Sequence, residues 1–409
     1  MILSKRATSL EASPTVAITS KAKILKAQGK DVISFGAGEP DFDTPDFIKK
    51  AAIEAINNGF TKYTPPAGIL ELREAIAKKL VKENKLDYNF ENVVVTDGAK
   101  YALFLLFLSL LEEGDGVIVL SPYWVSYIEQ VKFTGASCVI IDTKEDDFYP
   151  NEKKIEEVIK AIQREKEIPS FACLIGNYPK KIKAIIINTP NNPTGAVYPK
   201  EILEKVAQVC LKHNVYIVSD ECYEKLIYEG YHTSIGSLDK DILDITFTIN
   251  AFSKAYSMTG WRVGYIAAKN KDVINAIIKI ISQSTSNVCS ISQKAAVAAL
   301  KGPQDFLKTW KRAFIERRDY MCNFFKSLDI PFVKPQGAFY LFVDFSKVIK
   351  SKNFKDDINF AKSLLEEKLV ALVPGSAFGA PNFARLSYAT SLENIKKGLE
   401  RIKEFIKGN

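Results

Sequence analysis

Between Asn250 and Gly264 the chain reads Asn-Ala-Phe-Ser-Lys-Ala-Tyr-Ser-Met-Thr-Gly-Trp-Arg-Val-Gly, which sets Lys254 between Ser253 and Ala255 and places Arg262 eight positions later. The run Ile245–Ile249 just before it has the β-branched character of a strand. A lysine amine forms a Schiff base with an aldehyde only as the free base and only when held rigidly, and a position just beyond a strand end provides both. Small neighbours leave room for a flat cofactor, and the planar fork of Arg262 suits that cofactor's phosphate. Taken alone, such a pair is more often a solvated lysine and a structural arginine in a strand-to-helix loop. Three further segments tip the reading towards chemistry.

Asn188-Thr-Pro-Asn-Asn-Pro-Thr-Gly195 follows the strand-like Ala184–Ile187, and Asp220-Glu-Cys-Tyr223 follows the strand-like Tyr216–Val218. Ala384-Arg385-Leu-Ser-Tyr-Ala-Thr390 lies near the C-terminus. In this order, from about Ser13 to Phe405, the motifs resemble those of the class I aminotransferases of the pyridoxal-phosphate fold-type I superfamily. The prokaryotic branch of aspartate aminotransferases is the most similar. The resemblance implies pyridoxal 5′-phosphate as cofactor and ping-pong transfer of an amino group from aspartate to 2-oxoglutarate. Other chemistry on the same scaffold is the alternative, namely β-elimination or transamination of aromatic or branched substrates. A binding protein that had lost the chemistry is disfavoured by the full motif set.

The residues can be read individually. Gly98-Ala99-Lys100 stands between the strand-like Val93–Thr96 and a long apolar helix, so free N–H groups at that helix N-terminus suit a phosphate. By resemblance, Asp220 partners the ring nitrogen, so that the ring takes up electrons; as a bare residue it would equally cap the next helix. Tyr223 and Asn192 match residues that hydrogen-bond the ring's phenolic oxygen, and Trp124 matches the aromatic that stacks on the ring face. Ser253 is a candidate phosphate contact, although the family's best-known serine falls where this chain has Ala251. Tyr63 matches a residue that reaches the phosphate from a neighbouring subunit, which implies a homodimer with shared sites.

At the substrate end, Arg385 matches the arginine that grips the α-carboxylate and Gly38 a glycine that lies against the substrate. The family's animal-type members use a second arginine for the distal carboxylate, and the corresponding stretch Ser282–Asn287 has none. Lys100 is the expected substitute, because a lysine at a helix N-terminus opposes the dipole and is a poor choice for structure alone; a solvated terminal lysine is the other reading. Thr15 is expected near the substrate. Members that act on prephenate carry a basic residue where this chain has Glu11, so a second carboxylate on the substrate is disfavoured there.

The bulk properties agree with an enzyme of this kind. A length of 409 residues implies more than one domain. The six cysteines show no paired spacing and there are only two histidines, His213 and His232, which argues against disulfides, a metal site or a histidine triad. The net charge of +8 comes from lysines spread along helix faces, such as Lys49-Lys50, Lys78-Lys79 and Lys396-Lys397, which read as solvated rather than as a nucleic-acid patch. The longest apolar run, Ala102–Leu111, is too short to span a membrane and reads as a buried helix, and the N-terminus lacks a signal-peptide pattern. The expected location is the cytoplasm.

Seven strand candidates, Val93–Thr96, Val117–Leu120, Cys138–Asp142, Ala184–Asn188, Tyr216–Asp220, Thr246–Asn250 and Val263–Ala267, alternate with helical patterns. They predict an α/β layer with a mainly parallel seven-stranded sheet. The stretch Gln163–Lys181 reads as a surface insertion. The expected organisation is an N-terminal arm (1–45) joined to a smaller α+β domain (301–409), with the cofactor-binding domain at 46–300 between them.

Overall fold

In the computed structural model, which describes residues 3–4, 7–8, 10–11 and 14–408, the helix Pro14–Ala27 leads to β1 (Ile33–Ser34), and the helices Asp46–Asn57 and Leu70–Lys79 then precede a large sheet. That sheet comprises β2 (Val93–Thr96), β3 (Asp115–Ser121), β4 (Ser137–Asp142), β5 (Ala172–Ile175), β6 (Lys181–Asn188), β7 (Tyr216–Asp220), β8 (Thr246–Ala251) and β9 (Gly264–Ala267). Their order is β2-β9-β8-β7-β6-β3-β4-β5. The links β8-β7, β7-β6, β6-β3 and β3-β4 are parallel. Every residue of β3 is buried, as expected for a strand covered by helices on both faces.

All seven expected strands are present, but the sheet has eight. The additional strand, β5, arises inside the stretch expected to be an insertion and pairs antiparallel with β4, Ile140 opposite Cys173. It is a short edge strand with none of its four residues fully buried, so it carries too weak a hydrophobic pattern to be read from sequence. A second correction concerns Lys79. It is buried rather than solvated, because its ammonium turns inward to Glu224.

β2 and β8 both pair antiparallel with β9, so they point the same way as the parallel strands. The carboxyl ends of β2, β3, β6, β7 and β8 therefore open on one edge, where α/β sheets bind ligands. The helix Ala99–Leu110 is anchored behind that edge by Ala102, Leu103, Leu105, Leu106, Phe107 and Leu110, all buried. Each buried leucine contributes roughly 1.5–3 kcal/mol, which fixes the helix N-terminus at Gly98 against the sheet.

A smaller antiparallel sheet follows, with β10 (Phe332–Val333), β11 (Tyr340–Asp344), β13 (Val373–Pro374) and β14 (Phe383–Ser387) in the order β10-β11-β14-β13. The pair β1 and β12 (Val370–Ala371) is parallel and ties the N-terminal segment to this region. The Phe35 N–H donates to Ala371 O at 2.7 Å, and the Ser387 N–H donates to Phe35 O at 2.8 Å. These bonds place Gly36 and Gly38 beside β14, which carries Arg385. One apolar core joins Val93, Val95 and Tyr223 to Phe314, Phe339 and Leu386, so the two sheets are held across a shared hydrophobic contact.

Candidate active site

A cavity of about 450 Å³ lies between the carboxyl edge of the large sheet and the small sheet. Gly38, Ala99, Lys100, Trp124, Asn192, Asp220, Tyr223, Ser253, Lys254, Arg262 and Arg385 line it. Segments far apart in sequence thus meet as expected.

Lys254 sits in the short helix Phe252–Ala255 directly after β8. Its Nζ donates to Gly38 O and lies 5.8 Å from the centre of the Tyr223 ring. No carboxylate lies within ion-pair distance of it among the described residues. Burial lowers its pKa to about 8 from the ordinary 10.5, and the Arg385 and Arg262 charges act in the same direction. About a tenth of this amine is then free at pH 7, far more than for an ordinary lysine, as a nucleophilic lysine needs.

Asp220 ends β7 and is buried. Tyr127 donates its phenol to Oδ2 at 2.6 Å, and the Cys222 N–H donates to Oδ1 at 3.2 Å. Burial raises the pKa of this carboxyl, and the two hydrogen bonds pull it back towards the anion. Tyr223 is buried with its hydroxyl 2.8 Å from that of Tyr340. Burial and the neighbouring Tyr340 both push the Tyr223 phenol pKa up, so it is a neutral donor.

At the other end, Arg385 is 2% exposed. Its Nη1 donates to Asn192 Oδ1 at 3.0 Å and its Nη2 to Gly36 O at 2.9 Å. The guanidinium lies 4.5 Å from the Tyr340 ring centre and 5.0 Å from that of Phe378. Among the described residues no carboxylate pairs with it, and its buried Nε has no hydrogen-bond partner. A desolvated cation without an anion is costly, so this geometry is built for an anionic ligand.

The opposite wall suits a phosphate. Arg262 donates from Nη1 to Thr259 O and from Nη2 to Asp97 O, each at 3.0 Å. Gly98 (φ 84°) caps the helix Ala99–Leu110, and a Cβ there would stand 2.7 Å from Arg262 Nη2. Gly264 is equally constrained, since a Cβ on it would meet Ala99 N at 2.7 Å. The result is a helix N-terminus with an arginine fork beside it. Lys100 projects from the same turn with its ammonium 5.0 Å from the Trp124 ring centre. Desolvation and then the Arg262 charge lower its pKa.

This convergence is matched by similarity to known proteins. The sequence profile described as "Aminotransferase class I and II" matches residues 30–402. The chain belongs to that family. An aspartate aminotransferase of Bacillus subtilis is 46% identical to this aminotransferase, over 99% of each chain. An aspartate/prephenate aminotransferase of Thermus thermophilus is 44% identical over 98% of this chain and 97% of its own length. The solved structure of a Thermus thermophilus aspartate aminotransferase with maleate superposes with a TM-score of 0.89 at 43% identity, covering 98% of this chain and 99% of the other.

Of the expected residues, Gly98 stands just behind the lining of this chain's own cavity, and Tyr63 is the one expected at a partner's cavity instead. Tyr63 is 89% exposed and does not line this chain's own. Thr15 lies outside the residues whose side chains are described. Sequence reasoning also missed contributors. Tyr127, which holds Asp220, lies in the first turn of the helix Ser126–Thr134, and its ring meets that of Trp124, just before the helix, edge to face at 5.4 Å. Tyr340 joins Tyr223 to Arg385, but only the pairing of β11 with β14 brings it there. Thr19, Ser20 and Lys23 of the helix Pro14–Ala27 also line the cavity.

Proposed function

We propose that this aminotransferase transfers the amino group of L-aspartate to 2-oxoglutarate with pyridoxal 5′-phosphate as cofactor. The observation that carries the reading is a single cavity with a buried lysine of lowered pKa on one side and a buried arginine without a carboxylate partner on the other. The residues fit the cofactor: the tight Gly98–Arg262 cradle suits its phosphate, Asp220 its protonated ring nitrogen, Tyr223 and Asn192 its phenolic oxygen and Trp124 its ring face. When bound, the cofactor supplies an aldehyde that links to amines and a ring that takes up the electron pair released at the substrate's Cα.

This chain's residues do the rest. Arg385 holds the α-carboxylate, with Nε as the uncommitted donor and Gly38 beside it. Lys254, as a neutral amine, takes the proton from the substrate's Cα and would deliver it to the carbon that bears the cofactor's aldehyde, a contribution of typically 10²–10⁴-fold. Ser253 and Arg262 hold the phosphate. Lys100 meets the distal carboxylate. Supporting this assignment, Lys100 is the cation on the Trp124 side of the cavity, and relatives of 42–48% identity are named aspartate aminotransferases. Glu11 at the N-terminal arm disfavours prephenate. The enzyme acts in the cytoplasm as a homodimer in which Tyr63 completes the partner's site, and its smaller domain combines residues 1–45 with 301–409. No described helix is long and apolar enough to cross a membrane.

The direct test is a half-reaction. Aspartate should convert the aldehyde form of the enzyme to the amine form, seen as a shift in absorbance, with one oxaloacetate and no ammonia released. Ammonia release would point to elimination instead. Two variants divide the substrate. Arg385→Lys should raise KM for every amino acid, with a loss of ~2–3 kcal/mol in kcat/KM, because a lysine lacks the fork. A loss limited to dicarboxylic substrates would move Arg385 to the distal end. Lys100→Ala should weaken aspartate and glutamate ten- to hundredfold relative to alanine, about 1–3 kcal/mol. An equal loss across substrates would leave Lys100 as a helix-terminal charge.

A further inference from the structure

The segment Asp220-Glu-Cys-Tyr-Glu224 has two faces. Asp220 and Tyr223 line the cavity, whereas Glu221 and Glu224 enter a buried polar cluster behind it. Glu221 is 0% exposed. Its carboxylate accepts from Ser219 Oγ at 2.9 Å, Ser234 Oγ at 2.7 Å, Asn84 Nδ2 at 3.2 Å and, at 3.0 Å, pairs with His232 Nε2. Glu224 meets the Lys79 ammonium and accepts from Asn84 Nδ2 at 2.6 Å, while Lys79 also donates to Asn84 Oδ1 at 2.7 Å. Lys225, paired with Glu83, stands at the edge of the cluster.

The charges decide what His232 does there. Lys79 pairs with Glu224, which leaves the Glu221 carboxylate without a lysine or arginine partner; the imidazole beside it is placed to supply the cation. Glu221, Glu224 and His232 bring ligand atoms within 4.8 Å of one another, as a metal site would. Lys79 already sets a cation on Glu224, so protein groups close the cluster. Burial pulls the His232 pKa down, but the charge and hydrogen bond of Glu221 and the charge of Glu224 outweigh it and raise the value above the ordinary 6.5.

The backbone between clamp and cavity is short. The Glu221 N–H donates to Ile249 O at 2.9 Å, the Cys222 N–H to Asp220 Oδ1 at 3.2 Å and the Glu224 N–H to Glu221 O at 3.0 Å. Anchoring the Glu221 carboxylate therefore fixes the turn that sets the orientation of Asp220 and Tyr223. We propose that His232 is a positioning residue of the active site: its ring closes the buried cluster on Glu221 and thereby holds Asp220 and Tyr223 in register with the cofactor. This rests on the roles given above to Asp220 and Tyr223. Because the folded pKa of His232 is raised, the pair's stabilisation is complete below the ordinary imidazole value and is lost as pH rises through the folded one.

The chain has two histidines, which makes the test clean. His213 pairs with Glu156 and does not line the cavity, so His213→Gln leaves His232 as the sole imidazole signal. In that holoenzyme the NMR titration midpoint of His232 should lie above 6.5. Adding His232→Ala should lower kcat about tenfold, as for other buried outer-shell partners, with KM for aspartate within about twofold. Spectral titration of the apoenzyme with pyridoxal 5′-phosphate should show about tenfold weaker binding. Adding His232→Gln instead keeps a donor to Glu221 and should restore most of both. A midpoint at or below 6.5 overturns the proposal. So does an alanine variant with kcat and cofactor affinity like the parent's, or a melting temperature that falls with kcat and is not rescued by glutamine. Should the alanine variant not fold, the titration and the glutamine variant decide. A parent that binds no cofactor and forms no oxo acid would refute the site reading itself and this inference with it, an outcome distinct from the others.

Discussion

Replacing Lys254 with alanine should abolish transamination, on the order of 10⁴-fold or more, while leaving the fold intact. The expected loss combines that of the covalent anchor with that of the base at Cα. A structural readout runs in the opposite direction. Burial depresses the Lys254 pKa to about 8, so the folded apoenzyme bears the cost of a desolvated ammonium below that pH. Between about 8 and 10.5 the unfolded chain binds the extra proton, and wild-type stability rises with pH in that window. The alanine apoenzyme should therefore melt at or above the wild-type temperature at pH 7, with the difference closing towards pH 10.5. Turnover near the wild-type rate would remove Lys254 from the chemistry. A lower melting temperature at pH 7 would make it a structural lysine.

Asp220→Asn should lower kcat by about 10³-fold, roughly 4 kcal/mol, with a small change in KM. Asparagine preserves shape and still accepts the Tyr127 hydrogen bond, so the substitution isolates the negative charge. That charge is what would keep the cofactor's ring nitrogen protonated. Burial already works against the anion at this position, and Tyr127 and the thiol and N–H of Cys222 offset it only in part. The cofactor should therefore bind more weakly to the variant as well, measurable by absorbance during dialysis. A loss under tenfold with full cofactor retention would reduce Asp220 to a support for its neighbours.

Local chemistry alone was sufficient for much of this. The seven strands of the large sheet other than β5 were legible because they are apolar, largely β-branched runs bounded by turn residues, and the site loops were legible because they follow strand ends with Gly, Pro, Asn or Lys. Lys254, Asp220, Asn192 and Arg385 carry their meaning in residue type and order. β5 was not legible: its four residues at a sheet edge carry no firm burial pattern, and what recruits them is the exposed edge of β4.

Side-chain partners across sequence distance were also out of reach. Nothing local tells that Lys79, on a helix face like other lysines, turns inward to Glu224, 145 positions away. The same holds for Tyr340, whose hydroxyl meets that of Tyr223 from 117 positions along the chain. The sequence by itself determined which residues can bind a phosphate, hold a carboxylate or move a proton, because those capacities are properties of the side chains. Only the tertiary structure decided their strength. The depressed pKa of Lys254, the unpaired Nε of Arg385 and the clamp of His232 on Glu221 all depend on desolvation and on charges brought together by the packing of the two sheets.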